Sequence, residues 1–469
     1  MLSPHLSFNL SSGNSLDSKI SITKTILLFS VVVAVYFFIS LYFQVVHINV
    51  WRHDSIVMLP DYLGKLREEG RWINYFLFPI LKKVPPQLSI LISLSCWGYF
   101  SYITSYNFCK DKIYSILFSF TALQVPAFYS IIGWPVTVMP SFLVLAFCSW
   151  LSTKLKPLYF FLISGILFLG VFNNFYNLTL LFFLPAYKRI KLKGFIKIVA
   201  FWVLSFLVGF LFSLVMTKLI GGHWGLEIAP WRQPHKILTL SDAVLNAERV
   251  IDNLFAHVKL FGSMLVALGG FCSLFVVLME SRKPHKNISI YVIFALIFVA
   301  LSCYAQAFPL GFNVATRTAF PLFLTLYCLA LIIFNRLKIV SILMTLVMAG
   351  SCYIINYDSV HYYVTVTNTW LKYVREIASD PLLTKRVTLC MKNEDVKKSE
   401  ELIIQSQGLK NNLNDRHDVV VSFSPVLKSA GFNDIPLSGS CNKNAKDRIK
   451  ENDVFVWGMK GDEAFLWMK

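Results

Sequence analysis

Charge is scarce in this chain, and acidic charge scarcer still. Of 469 residues only 15% are charged, and 26 are Asp or Glu against 44 Lys or Arg. A soluble domain carries about 25% charged and about 45–50% apolar residues; here 56% are hydrophobic, with mean hydropathy +0.59. A hydrophobic excess of that size is more than one buried core needs. Disorder is excluded by the same composition, since 41 Phe and 20 Tyr stand among few charges. The nine cysteines have no regular spacing, so neither a disulfide scaffold nor a zinc module is expected. HExxH, GxSxG and a phosphate-cradling glycine loop are all missing, which leaves metalloprotease, serine-hydrolase and nucleotide chemistry without a motif. The nine histidines are scattered without ligand spacing, so no cofactor is expected and no metal is assigned; a divalent cation is possible but not indicated.

What the chain does have is long apolar runs, at about 25–46, 88–108, 113–131, 136–152, 158–187, 195–219, 260–279, 289–308, 318–334 and 339–356. A helix crossing roughly 30 Å of hydrocarbon needs about 20 residues. The pattern predicts an α-helical polytopic membrane protein with about nine full spans. The run at 158–187 is too short for two spans and too long for one, and its middle holds Asn173, Asn174, Tyr176 and Asn177. It reads as a short or re-entrant hairpin whose polar tip must face protein or water. The first apolar run is long enough to remain in the bilayer, so no cleavable signal peptide is expected.

The net charge of +18 sits mostly in short clusters between the runs, which argues for membrane topology and against nucleic acid. Lys19 and Lys24, Lys110 and Lys112, Lys154 and Lys156, the group from Lys188 to Lys197, Arg282 to Lys286, and Arg336 with Lys338 all fall on one face. That face is cytoplasmic and holds the N-terminus. A membrane domain over 1–356, with outer loops at 47–87 and 220–259, is then followed by a near-neutral segment, 357–469, on the outer side. Short strand-like stretches at 387–390, 419–423, 454–457 and 464–468 and a helix over 397–407 make that segment a small extracytoplasmic α/β domain. Its two cysteines, Cys390 and Cys441, could pair in an exported compartment or stand as unrelated thiols.

None of the 11 carboxylates in the membrane part lies inside an apolar run, and eight sit in the two outer loops. A proton-coupled transporter keeps ionisable groups at the midplane; this distribution points instead to chemistry at the outer surface. The first outer loop is richest, with HINVWRHDS at 47–55 and LPDYLGKLREEGRW at 59–72. Between Pro60 and Gly70, the spacing of Leu59, Tyr62, Leu63 and Leu66 predicts an interfacial amphipathic helix on the outer leaflet. Asp54 follows the first span beside Arg52 and His53. A carboxylate there could take a proton from a sugar hydroxyl while a cation holds a phosphate oxygen; a capping or salt-bridged aspartate is the alternative. Arg317, and Arg232 with His235 in the larger loop, are phosphate candidates or interfacial anchors. Trp51, Trp72, Trp134, Trp224 and Trp231 map to the outer face, as sugar platforms or as an aromatic belt.

These features resemble the bacterial and phage-borne Gtr-type O-antigen glucosyltransferases. The likeness rests on Asp54 after the first span, EGRW at 69–72, GVFNNFYN at 170–177, ATRTAFP at 315–321 and the outer C-terminal tail. It implies a GT-C-like enzyme of the bacterial inner membrane, with its C-terminal domain in the periplasm. Such an enzyme takes a hexose, usually glucose, from an undecaprenyl-phosphate-linked donor and attaches it to the O-antigen acceptor, altering the serotype of the lipopolysaccharide. Carried over residue by residue, Asp54 would be the base with Glu68 or Glu69 second. Arg52, His53, Arg71, Trp72, Arg232 and Arg317 would line the donor site, Arg317 on the lipid phosphate. An O-antigen polymerase and a lipid-linked sugar flippase or transporter are the alternatives from other classes.

Overall fold

The computed structural model describes residues 13–49, 64, 66–67, 69–126, 133–226, 234–281, 290–380, 387–389, 393–409, 423, 426–427, 430, 447–452, 455–460 and 463–468. Helices dominate them: α1 (Gly13–Val46), α2 (Trp72–Leu81), α3 (Pro86–Cys109), α4 (Lys112–Ala122), α5 (Pro135–Leu151), α6 (Pro157–Leu169), α7 (Leu192–Gly221), α8 (Leu240–Phe261), α9 (Ser263–Ser281), α10 (Ile290–Ala307), α11 (Phe320–Phe334), α12 (Lys338–Ala378) and α13 (Asn393–Gln407). Five of them, α1, α3, α7, α10 and α12, are long and apolar enough to cross a membrane, and α8 with α9 would add a sixth if the pair is one broken span. The protein is a helical membrane protein. Helices α2, α5, α6 and α11 are apolar but shorter.

Local chemistry sets the boundaries. Proline opens α3, α5 and α6, where its missing N–H costs nothing and its fixed φ suits the first turn. Asp111 caps α4, its carboxylate accepting the Tyr114 N–H at 3.0 Å. Gly222, at φ +77°, ends α7 in the left-handed conformation that glycine tolerates best.

The run at 158–187 folds as a hairpin of two unlike halves. After α6 the chain turns at 170–172 and returns as a 3-10 segment, Asn173–Phe183, followed by one helical turn, Leu184–Tyr187. The halves are antiparallel: Phe160, near the start of α6, meets Phe182 and Phe183 at the end of the return, and Phe161 also meets Phe183. An 11-residue 3-10 stretch is long for that geometry. Here it is enclosed on every side, with residues 174–183 all buried, so no polar backbone meets lipid. Close contact at α6 and α7 completes the wall, since a Cβ on Gly209 would lie 2.5 Å from the Gly165 carbonyl oxygen.

Helices α8 and α9 meet at 90° around Gly262, whose φ of +108° lies outside the range most side chains adopt. Helix α12 runs unbroken through residue 356, where the composition changes, and on to Ala378. Its 41 residues span about 61 Å at 1.5 Å each, roughly twice a hydrocarbon core. The continuation carries the C-terminal segment. Trp370 donates from its indole to Ser399 on α13 at 3.1 Å and Tyr362 to Glu400; Asp380 accepts from Lys450 at 2.8 Å and from the Trp457 indole at 2.9 Å. Beyond it lies a four-stranded sheet of β1 (Val387–Leu389), β2 (Asp447–Glu451), β3 (Phe455–Lys460) and β4 (Glu463–Met468), ordered β1-β4-β3-β2. Strands β3 and β4 pair antiparallel from Phe455 opposite Met468 to Lys460 opposite Glu463, overlapping the strand-like stretches at 454–457 and 464–468. The predicted strand at 419–423 lies outside the described residues except for Phe423, which is helical, and Cys390 and Cys441 lie outside them altogether.

Candidate functional site

A cavity of about 850 Å³ lies among α7, α10, the turn after α6 and the end of the α1–α2 connection. Two helical stripes form its walls. Trp202, Phe206, Phe210 and Ser213 recur on one face of α7, and Phe298, Leu301, Ser302, Ala305 and Gln306 on one face of α10. Near the Lys191 end of α7, Phe195 packs on Tyr291, Phe294 and Phe298 at centroid distances of 5.2, 6.4 and 6.3 Å. The cavity opens beyond that contact, along the rest of both helices. Val203, Phe210, Phe298 and Leu301 line it and are 46%, 38%, 43% and 42% exposed. A lipid chain entering between the two helices would meet these apolar side chains.

Its polar end brings together three separate stretches of sequence. The first is the end of the α1–α2 connection. Arg71 N–H donates to Leu66 O at 2.9 Å and Gly70 N–H to Arg67 O at 3.2 Å, while Gly70 takes φ +72°; this is a Schellman helix end. Gly70 is the stop that the sequence predicts. A Cβ there would also meet Leu226 at 2.5 Å. Immediately before and after Gly70, Glu69 and Arg71 turn toward one another, Arg71 Nη2 lying 2.9 Å from Glu69 Oε2 with both side chains about five-sixths buried. Both line the cavity, and the Arg71 guanidinium also lies 5.1 Å from the Phe172 ring centroid. A cation on an aromatic face adds to the ion pair.

The second stretch is GVFNNFYN. Ile73 N–H donates to Gly170 O at 2.9 Å, and a Cβ on Gly170 would fall 2.6 Å from Trp72 Nε1. Glycine is required there because the indole occupies the space of a side chain. Asn173, Asn174 and Asn177 of the return line the cavity. The third stretch is ATRTAFP, from which Thr318 lines the cavity and Phe320 packs on Phe175 at 4.6 Å.

Among the described candidates, then, Glu69 and Arg71 stand at the cavity. Trp72 does not line it; its ring is wedged between Gly170 and Phe212 on α7, 5.6 Å from the latter's centroid. Arg317 does not line it either, and its guanidinium rests over the Trp134 ring at 4.7 Å. Asp54, Arg52, His53, Glu68 and Arg232 lie outside the described residues. The predicted amphipathic helix is described at Gly64, Leu66 and Arg67. Leu66 is buried against Phe78, Leu81 and Met139, so this part of the apolar stripe faces protein rather than the outer leaflet. Periodicity finds such a stripe but does not say which apolar medium covers it.

Sequence reasoning passed over Gln306, whose side-chain amide donates to Asn177 Oδ1 at 3.0 Å. The signal was present, since Gln306 closes an otherwise apolar helix. Apart from the Glu69–Arg71 pair, the polar side chains of the lining are amides, hydroxyls, the Trp202 indole and the Cys303 thiol, so the described lining is neutral in sum. Among the described residues no group of three His, Cys, Asp or Glu could hold a metal ion. The arrangement can seat an apolar chain along α7 and α10 and a hydroxyl-rich head at the amides, with one carboxylate and one guanidinium beside it. The chain matches no protein-family model, no curated protein and no solved structure.

Proposed function

We propose that this protein is a membrane glycosyltransferase that moves a hexose from an undecaprenyl-phosphate carrier to an O-antigen repeat on the periplasmic face of the inner membrane. In this reading the α6 hairpin and the shorter apolar helices complete a set of about nine spans, the basic loops face the cytoplasm and the C-terminal α/β segment is periplasmic. One observation carries the proposal: a single cavity joins an apolar, partly exposed wall along α7 and α10 to a polar end that holds Glu69 and Arg71. That is the shape required by a substrate whose carrier stays in the bilayer while its sugar reacts at the surface. The convergence there of EGRW, GVFNNFYN and ATRTAFP supports it, because the resemblance in sequence rests on the same three stretches.

The reaction needs little from the protein. A carboxylate accepts the proton of an acceptor hydroxyl, whose oxygen forms a bond to the anomeric carbon. The bond from that carbon to the phosphate oxygen breaks, and the polyprenyl phosphate leaves with the electron pair. Asp54 remains the first candidate for the base, and Glu69 is the candidate carboxylate at the cavity. Arg71 suits the leaving phosphate, since a guanidinium binds phosphate oxygens in pairs. Phosphate on Arg71 would compete with Glu69 for the guanidinium and so leave the carboxylate oxygens open to the acceptor hydroxyl.

The test is mass and linkage analysis of lipopolysaccharide from a host that makes O-antigen and the lipid-linked donor, with and without this chain. One added hexose per repeat is expected. Glu69→Gln and Asp54→Asn are each to be compared with the unaltered protein at equal membrane levels. Loss of a general base lowers the rate by about 10²–10⁴-fold. A change in chain length without change in the repeat would replace this reading with a polymerase. Unmodified repeats with the donor present would remove it.

A further inference from the structure

The 3-10 segment has a consequence for which sugar the cavity takes. In a 3-10 helix residues three apart eclipse one another, so Asn174 and Asn177 share a face, and both line the cavity. Asn177 is fully buried and its orientation is held on two sides. Its Oδ1 accepts from Gln306 Nε2 at 3.0 Å. The flanking backbone is fastened to α7 by Tyr176, whose hydroxyl donates to Trp202 O at 2.6 Å and whose ring stacks on Trp202 at 5.8 Å. The Trp202 indole in turn donates to the Thr179 hydroxyl at 3.1 Å. The other end of the Asn177 side chain, Nδ2, is buried with no hydrogen-bond partner among the described residues. Leaving a buried donor unsatisfied costs about 1–3 kcal/mol, and a fold that fixes the acceptor end so firmly aims that donor at something. The described lining around it carries no unbalanced charge.

We propose that Asn174 and Asn177, with Gln306 holding Asn177 in place, form the sugar subsite of the cavity and select an uncharged hexose borne on a lipid phosphate. This rests on the glycosyltransferase reading for the lipid carrier, but not for the sugar contact itself. Asn177 donates from Nδ2 to a sugar hydroxyl oxygen. The amide neighbours offer both donors and acceptors to further hydroxyls, a pattern suited to neutral polyols and unsuited to a uronate, whose charge would find no counter-ion beyond a guanidinium already paired.

The experiment measures binding to the purified full chain in lipid nanodiscs. The probes are a short-chain polyprenyl phosphate carrying glucose and the same polyprenyl phosphate without it. The expected result is that the unaltered protein prefers the glucose-bearing lipid by about tenfold, the worth of one well-placed hydrogen bond with its unsatisfied partner. Asn177→Leu removes that preference while affinity for the bare phosphate stays within about twofold. Should Asn177→Leu fail to fold, Gln306→Leu at the half-buried rim serves, and it lowers the preference by freeing the Asn177 amide. An equal affinity of the unaltered protein for both lipids overturns the inference, as does a preference that survives the substitution. Transfer assayed in the same nanodiscs separates the two proposals. Transfer without sugar preference removes the subsite alone; a preference that depends on Asn177 without any transfer keeps the subsite and removes the enzyme.

Discussion

At the scale of single residues, the site depends on two glycines that let separate stretches of chain touch. Gly170 is the stricter case, because the space for its Cβ is filled by Trp72 Nε1, Trp72 Cε2 and Ile73 Cδ1 at 2.6, 2.7 and 2.9 Å. Gly170→Ala must push the indole off the hairpin turn. Overpacking of that kind costs about 1–3 kcal/mol, so the melting temperature in detergent is expected to fall. Because Arg71 adjoins Trp72, transfer should fall further than the lost stability explains. Adding Trp72→Leu should recover the melting temperature, and a double variant as unstable as Gly170→Ala alone would refute the wedge. Much of this was legible beforehand. EGRW and GVFNNFYN stand out because charged and amide side chains interrupt long apolar text. The pairing of Glu69 with Arg71 was not legible, because it depends on the left-handed turn at Gly70 folding the two side chains to one side. Nor did the sequence distinguish Trp72 as a packing wedge from Trp72 as a sugar platform, since both uses want the same ring.

At the scale of elements, α8 ties the segment that precedes it to the cavity rim. Its Asn246 side chain donates to His235 O at 2.9 Å and to Phe308 O at 3.1 Å. A Cβ on Gly311 would collide with the same amide. Pro309, Leu310 and Phe312 of that strip line the cavity, so the start of α8 and the rim move together. The start is held by a capping box. The Thr239 hydroxyl accepts the Asp242 N–H at 3.3 Å, and the Asp242 carboxylate accepts the Thr239 N–H at 2.8 Å. The Asp242 carboxyl is held below its ordinary value, chiefly by the Thr239 hydroxyl and then by the Leu238 and Thr239 amides. A depressed carboxyl stabilises the fold above its unfolded value and loses that contribution as the pH falls through the folded one. Amide exchange protection over 238–246 is therefore expected to hold from neutrality down to the ordinary carboxylate range and to drop below it. Asp242→Asn should show weaker protection at neutral pH and no such drop. Persistence of the drop in the variant would assign it to another group. The five helices long and apolar enough to span were legible at this scale because hydropathy reports them directly, whereas the 3-10 return was not: its residues suit an α-helix equally, and tertiary enclosure overrides that preference.

At the scale of the whole molecule, the two ends of α7 carry the argument about sidedness. Lys188, Arg189, Lys191, Lys193 and Lys197 cluster at its start, while the Glu69–Arg71 turn, whose Gly70 lies beside Thr217 and Leu226, and Gly222 lie at its finish. Basic loops are retained in the cytoplasm, so the cavity's polar end should face the periplasm, where a carrier-bound sugar is needed and a nucleotide sugar is absent. Helix α12 gives an independent reading of the same sidedness. It starts beside Arg336 and Lys338 and carries the C-terminal segment about 30 Å past a bilayer's hydrocarbon, on the side where α8 and the cavity rim lie if the spans alternate. Single cysteines at Lys193, His223 and Glu401, in a background without the native thiols, test both at once with a membrane-impermeant maleimide. His223→Cys and Glu401→Cys are expected to react in spheroplasts, and Lys193→Cys only after the membrane is opened. Reaction of position 193 in intact spheroplasts, with 223 protected, would turn the cavity toward the cytoplasm. The donor would then be drawn from the opposite leaflet, and the periplasmic transfer proposed here would be excluded even if a hexose still reached the O-antigen.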